Sequence, residues 1–477
     1  MGFVDGVPRD QLIMFPQSLD EYISDDNPVR FVDAYVDGLD LQALGFKHAV
    51  PEETGRPPYH PGTQLKLYIY GYLNRIRSSR RLEKEAKRNV ELMWLLGKLA
   101  PDFKTIADFR RDNREAIRKV CREFTLYCRE LDLYGGELVA IDGSKFKAVN
   151  SRDRNFTARK LEDRTQRVDE KIERYLKELD ANDSQESDSY KPTAEELREK
   201  IETLRKRKQG YEELQERLEE GGETQISLTD PDARSMTKGR TRGTEVAYNV
   251  QISVDNKHNL IVDHEVTNEV TDRAQLSTMA IRAKEVLGVD ELDAVADKGY
   301  YSGREVKTCL EEGITPYISK PDSSPNKPLG LYSKQDFRYE SENDCYWCPA
   351  GEALTFRFQT TESGRDLRYY ATRACKDCDL KSKCTQNKRG RRITRWVDEA
   401  LLEEMERRVL SDAEKVKKRK RIVEHPFGTM KYSMNQGYFL MRRLPNVRCE
   451  MSLTVLAYNI KRVINILGVP KMVRALG

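Results

Sequence analysis

No stretch of this 477-residue chain strings together the roughly 20 apolar residues of a membrane-crossing helix. The opening MGFVDGVPRDQL carries an early acidic residue and no apolar segment, which argues against a secretory signal and for a soluble, cytoplasmic protein. Histidine is scarce: five residues, none at ligand-like spacing, so no histidine-built metal centre is expected. An excess of one charge sign is also missing, since 83 Lys and Arg face 79 Asp and Glu for a net +4. That small balance hides uneven spreading. KVKKRKR (415–421) packs six cations into seven residues, a local density that suits a polyanionic partner. Cysteine is thin outside one place. Five of the nine fall between 345 and 384, the mark of a local site rather than a disulfide framework.

What is present falls into blocks, and the length suggests roughly three domains of ~150 residues. Residues 1–135 read as a helical, DNA-binding domain: PVRFVDAYVDGLDLQAL, PGTQLKLYIYGYLNRI, SSRRLEKEAKRNVELMWLLGKL and TIADFRRDNREAIRKVCREFTLYCRELDL each place apolar residues three and four apart. Ser79, Arg80 and Arg81 lie where the third of these helices begins, so cations there could meet phosphate, as in a helix-turn-helix module. An ordinary helical domain with a solvated basic face fits the same pattern. Residues 136–152 open a sheet with LVAIDGSKF. Residues 153–223 hold two amphipathic helices, with Leu161, Val168, Ile172, Tyr175 and Leu179 on one and Leu197, Ile201, Leu204, Tyr211, Leu214 and Leu218 on the other, joined by DANDSQESDSYKPT: an inserted antiparallel hairpin. Residues 224–329 resume the sheet with a β-hairpin (244–268), a helix (273–287) and two βα steps. Residues 330–395 enclose the cysteines, and 396–477 read as a long basic helix followed by a final apolar one. The class is α+β.

Two strands end alike. LVAIDG closes on Asp142 and AVADKGYY on Asp297, each just past an apolar run. Asp-Gly alone suits a turn, because both residues tolerate positive φ. If the two strands are neighbours, however, the carboxylates sit side by side, and a third acid, Glu424 in RIVEHPFG, stands among cations as either a salt-bridge partner or a metal ligand.

VAIDGSKFKAVNS, VADKGYYSG and RIVEHPFGTMKYSMNQGYFLMRRL, with the following VRCEMSLTVLAYNIKRVINIL, resemble the three blocks of DDE transposases of bacterial insertion sequences, in the branch with a helical N-terminal domain, a charged helical insert and a cysteine cluster. The resemblance runs from YHPGTQLKLYIYGYLNRIRSSRRLE to the C-terminus. It implies a ribonuclease-H-like catalytic core, with Asp142, Asp297 and Glu424 as catalytic residues and ligands of Mg²⁺ or Mn²⁺. Two such ions activate the nucleophile and stabilise the leaving oxygen of an in-line phosphoryl displacement. It further implies double-stranded DNA (element ends and target) as partner, a homodimer when two ends are paired, and a nucleoid-associated bacterial location. Gly143 would let the DNA backbone approach. The family often carries Tyr, Arg and Lys at −7, −4 and +7 from the Glu; here Lys417, Lys420 and Lys431 hold those places, with Arg421 an alternative to Lys420, and Pro426 is expected to kink the helix. A non-catalytic DNA-binding descendant and a nuclease without strand transfer are the rival readings.

Cys345, Cys348, Cys375, Cys378 and Cys384 form C-x2-C and C-x2-C-x5-C, a spacing that suits tetrahedral zinc and leaves one thiol spare. An iron–sulfur cluster or free thiols fit it as well. The resemblance implies a zinc-ribbon-like insert held by Cys348, Cys375, Cys378 and Cys384, whereas two matched C-x2-C pairs would use Cys345 instead.

Overall fold

The computed structural model describes residues 18–50, 57–150, 154–182, 194–222, 224–237, 243–321 and 324–476; most of the polar link in the inserted hairpin lies outside them. Among the described residues no helix is long and apolar enough to cross a membrane.

The first strand, β1 (Leu138–Lys147), does not turn at Asp142–Gly143 but runs straight through the pair. The reason is its partner, for β1 is hydrogen-bonded antiparallel from Val139↔Asp255 to Lys147↔Ala247. Two short strands, β2 (Asn155–Thr157) and β3 (Gln225–Ser227), clamp the base of the inserted helices Ala158–Asn182 and Ala194–Glu220. Leu161, Val168, Leu197, Ile201, Leu204, Leu214 and Leu218 are buried in that hairpin, as their heptad-like spacing requires. The sheet continues with β4 (Arg234–Thr237), β5 (Thr244–Asp255), β6 (Ile261–Thr267), β7 (Leu292–Ala296) and β8 (Ile314–Ile318). Its order is β4-β5-β1-β7-β8, with β6 also on β5. The β5 pairings are antiparallel, while β1–β7 and β7–β8 are parallel. An antiparallel run extended by parallel strands on the far side of β1, with helices around it, is consistent with a ribonuclease-H-like core.

The N-terminal helices Pro28–Asp37, Pro61–Leu73, Ser79–Ala86, Val90–Leu95, Phe103–Asp112 and Arg114–Glu130 share one continuous apolar core with this sheet, from Phe31, Tyr68 and Phe124 through Val139, Ile252 and Val295 to Leu453 and Ile460. Leu444–Leu467, buried along most of its length, packs on Pro61–Leu73, Arg114–Glu130 and β6. Arg77 and Glu450 lock the junction: they pair at 3.4 Å with side chains 6% and 1% exposed, and Glu450 also accepts from the Leu440 and Met441 amides. Removing one partner of such a buried pair costs about 3–5 kcal/mol, since the other charge is left without compensation.

Residues 338–396 form a second sheet of β9 (Arg338–Glu340), β10 (Cys345–Trp347), β11 (Ala353–Glu362), β12 (Arg365–Ala371) and β13 (Arg392–Trp396), antiparallel in the order β13-β12-β11-β10-β9. It has its own apolar cluster of Phe337, Tyr346, Leu354, Tyr370, Cys384 and Ile393. The expected single basic helix is in fact two, Glu399–Ser411 and Ala413–Gly428. Asp412 divides them, because its carboxylate accepts from the Lys415 amide and caps the second helix. Pro426 does not end that helix, which runs to Gly428 and continues as a π-helical turn, Thr429–Ser433.

Candidate active site

Strand register brings the two aspartates together. β1 and β7 are parallel with Ala140 level with Val295. Asp142 follows two residues further along β1, and Asp297 stands just past the end of β7, so the parallel register carries both acids to the same end of the sheet. Asp142 accepts from the Gly143 amide at 2.9 Å and pairs with Arg419 Nη1 at 3.1 Å. Asp297 caps the single turn Lys298–Tyr300, accepting from the Gly299 amide at 2.7 Å. Burial raises the Asp142 pKa to about 6; the Arg419 guanidinium opposes this, and the charges of Asp297 and Asp272 add to it.

Helix 413–428 covers this part of the sheet, packing on β1, β5 and β7 with Ile422, Val423 and Phe427 buried. Glu424 lies on its open side, 64% exposed and 3.6 Å from Lys420. Lys417 shares that side and pairs with Glu414 at 2.7 Å, while Arg421 is exposed. Lys431 behaves differently: it donates to the Ser144 hydroxyl and, at 3.0 Å, to the Lys145 carbonyl, with its ammonium 4.7 Å from the Phe146 ring centre. It is therefore tied to β1 two residues beyond Asp142. In the N-terminal helices Arg80 and Arg81 are exposed, with Arg80 over the Phe103 ring, and Ser79 is half-buried in the first turn.

Several participants were not expected. Arg419, unremarkable within its basic run, is the residue that meets Asp142. At Gly143 the space that a side chain would take is already occupied by the protein itself. A Cβ there would lie 2.3 Å from Gln251 Nε2 and 2.7 Å from Asp272 Oδ1, so the space is filled from behind. Gln251 and Asn249, both wholly buried, each donate to Asp272 Oδ1 at 2.7 Å, and the buried Tyr300 hydroxyl donates to Gln251 Oε1. The available signal was the alternation in β5, where Asn249, Gln251, Ser253 and Asp255 recur every second residue. A strand with such a face usually turns it to water, and here all four are buried.

The five cysteines separate. Cys348, Cys375, Cys378 and Cys384 line one small cavity of about 20 Å³, and burial raises the Cys384 pKa, with the other three thiols adding to the shift and Arg391 opposing it. Cys345 sits apart in β10, its thiol 3.6 Å from Glu340. Among the described residues no group of three or more His, Cys, Asp or Glu is gathered closely enough to hold a metal ion. The thiols are no exception, so the expected zinc ribbon has no assembled metal centre among the described residues. The acids are likewise not gathered: Asp142 and Asp297 offer the hard oxygens a divalent cation takes, and Glu424 is not drawn in beside them.

Residues 17–112 match the family described as "Transposase domain (DUF772)", and residues 347–464 match the "Transposase DDE domain". The chain carries a DDE-type transposase domain. The DDE match takes in Glu424 and the cysteines from 348 to 384 and stops short of Asp142 and Asp297, so those two rest on sheet geometry and on their sequence blocks. No curated protein matches the chain. One solved structure, a piggyBac transposase synaptic complex with hairpin DNA, aligns over 94% of this chain and 79% of its own at 10% identity, with a TM-score of 0.32, too low to speak for a shared fold.

Proposed function

We propose that this transposase domain serves an enzyme that binds the terminal inverted repeats of its own insertion sequence, cuts the DNA there and joins the ends to target DNA. The reading is supported by the parallel pairing of β1 and β7, the strands that lead into Asp142 and Asp297, and by the cation-rich helix that packs over both strands. Asp142 and Asp297 are the proposed holders of Mg²⁺ or Mn²⁺, with Glu424 as third ligand. Bound metal would supply charge neutralisation and an activated oxygen nucleophile for in-line attack at phosphorus. This chain's own residues do the rest. Lys431, anchored on β1, and Arg419 present fixed positive charge beside the carboxylates, while Lys417, Lys420 and Arg421 offer a solvated stripe for backbone phosphates. Arg80 and Arg81 are proposed contacts to the element ends, and two copies would be needed to pair those ends. Cys348, Cys375, Cys378 and Cys384 are proposed to hold one structural zinc, with Cys345 outside the set. Labelled element ends incubated with the full chain and Mg²⁺ test the reading. Cleaved and joined products are expected. Binding without cleavage would mean a non-catalytic DNA-binding protein, and cleavage without joining a nuclease.

A further inference from the structure

Behind the sheet face that carries Asp142 lies a polar network whose members come from four separate pieces of chain. Asp272 belongs to the connection between β6 and helix Leu276–Leu287. Its Oδ1 accepts from Gln251 and Asn249, and Lys145 Nζ approaches the same oxygen at 3.8 Å. Gln251 is the β5 residue paired with Gly143, and Asn249 the one paired with Lys145. The far end of the Gln251 amide accepts from Tyr300, whose own backbone amide donates to the Asp297 carbonyl at 3.2 Å. Burial, with the charges of Asp272, Asp142 and Asp297, pushes the Tyr300 pKa far above its ordinary value, so the hydroxyl keeps its proton and donates.

The direction of every bond in this chain follows from one group. An ionised carboxylate only accepts, so Asp272 attracts the NH₂ of Gln251; the Gln251 oxygen then faces the other way and has one role left, to receive the Tyr300 hydroxyl. Tyr300 in turn holds the short turn that begins at Asp297. The network also fills the space above Gly143, so a side chain there would displace Gln251 or Asp272. Asp272 thus sits where one substitution would loosen the Asp297 turn and the stretch of β1 next to Asp142 together.

We propose that Asp272 is a positioning residue for the Asp142–Asp297 pair, acting through Gln251 and Tyr300. The proposal rests on the reading of those two aspartates as the metal-holding carboxylates. Its test uses the full-length protein and two readouts: Mn²⁺ binding to the DNA-free protein, and cleavage rate at saturating element-end DNA. Asp142→Asn serves as benchmark. Asp272→Ala is expected to weaken Mn²⁺ binding and slow cleavage by about tenfold or more, the scale of lost outer-shell support, with the KM for end DNA unchanged. Asp272→Asn keeps an acceptor oxygen of the same shape and is expected to recover most of both. Tyr300→Phe removes a single oxygen and should resemble Asp272→Ala in milder form; it decides the matter if Asp272→Ala fails to fold. Near wild-type Mn²⁺ affinity and cleavage in both Asp272→Ala and Tyr300→Phe would overturn the proposal, as would an Asp272→Asn variant no better than Asp272→Ala. Should Asp142→Asn bind Mn²⁺ as the wild type does, the reading of the aspartate pair itself fails, whatever Asp272 does.

Discussion

Asp142 and Glu424 are both proposed as acids of the DDE pattern, and the protein treats them in opposite ways. Asp142 is on a strand bonded on both sides, its side chain 24% exposed and paired with a half-buried arginine. Glu424 is on a helix, 64% exposed, beside a solvated lysine. Paired strands β1 and β7 lead into Asp142 and Asp297, so backbone hydrogen bonds carry those two acids to one end of the sheet. A helix fixes only which side a residue faces. Moving the Glu424 side chain means breaking an exposed ion pair, worth about 0–1 kcal/mol. The fold therefore holds Asp142 far more firmly than it holds Glu424.

The sharpest way to break that contrast is at the chemistry, where it should vanish. Asp142→Asn, Asp297→Asn and Glu424→Gln each remove a negative ligand without adding bulk. Each is expected to lower end cleavage by about a thousandfold or more, equivalent to some 4 kcal/mol of transition-state stabilisation, while binding to the ends persists. If Glu424→Gln cuts at near wild-type rate while both aspartate variants are dead, the exposed acid is not the third ligand.

A similar contrast runs through the cysteines, four around one cavity and one beside a glutamate. Metal analysis of the purified protein is expected to give one zinc per chain. Cys384→Ser and Cys348→Ser should lose it and more than about 3 kcal/mol of stability, because structural zinc contributes folding free energy directly. Cys345→Ser should alter neither quantity much. An iron signal, or a Cys345→Ser variant that loses its metal while Cys384→Ser keeps it, would reverse the assignment.

Much of this was legible in the residues. The apolar runs before Asp142 and Asp297 announced buried strands, and the heptad-like positions of the insert announced its hairpin. Elsewhere local preference gave way to pairing. Asp-Gly prefers a turn, but continuous pairing with β5 holds it extended. Pro426 removes one helical donor, yet Phe427 and Met430 are buried against the core and the helix carries on past it. The single long basic helix was the misreading, since Asp412 caps a second helix within it. The Asp272 network left only an ambiguous signal. Polar alternation in β5 looks like a solvent face, and only the chain folded over it shows otherwise.

The two acids should also part company in stability. The folded-state pKa of Asp142 is about 6, above the ordinary 3.8, so folded protein holds this proton more tightly than unfolded chain does. Stability from this group is therefore lost as pH rises from about 3.8 to about 6, and the penalty is complete above that range. Asp142→Asn removes the penalty. In metal-free buffer near pH 7.5 it is expected to stabilise the fold by about 1–3 kcal/mol, the upper figure being a two-unit shift and the lower allowing for the lost Arg419 pairing. Near pH 4 the gain should disappear. Thermal melts across this range check it, and a destabilised Asp142→Asn at pH 7.5 would mean that Arg419 outweighs burial.

The smallest effect belongs to Glu424 and is informative for being small. Its pairing with Lys420 spans one helical turn, with the cation N-terminal to the anion and both side chains largely in water. That orientation is the weaker of the two for such pairs, and salt screens what is left. Glu424→Gln and Lys420→Met are each expected to shift stability by no more than about 0.5 kcal/mol, and the double variant by about their sum. Chemical denaturation at low and high salt measures this directly. A Glu424→Gln variant that is catalytically dead yet melts with the wild type would separate reactivity from folding at this position, as the contrast with Asp142 requires. A loss of 2 kcal/mol or so would instead place Glu424 among the residues that hold helix 413–428 on the sheet, and its silence in catalysis would then need a structural explanation.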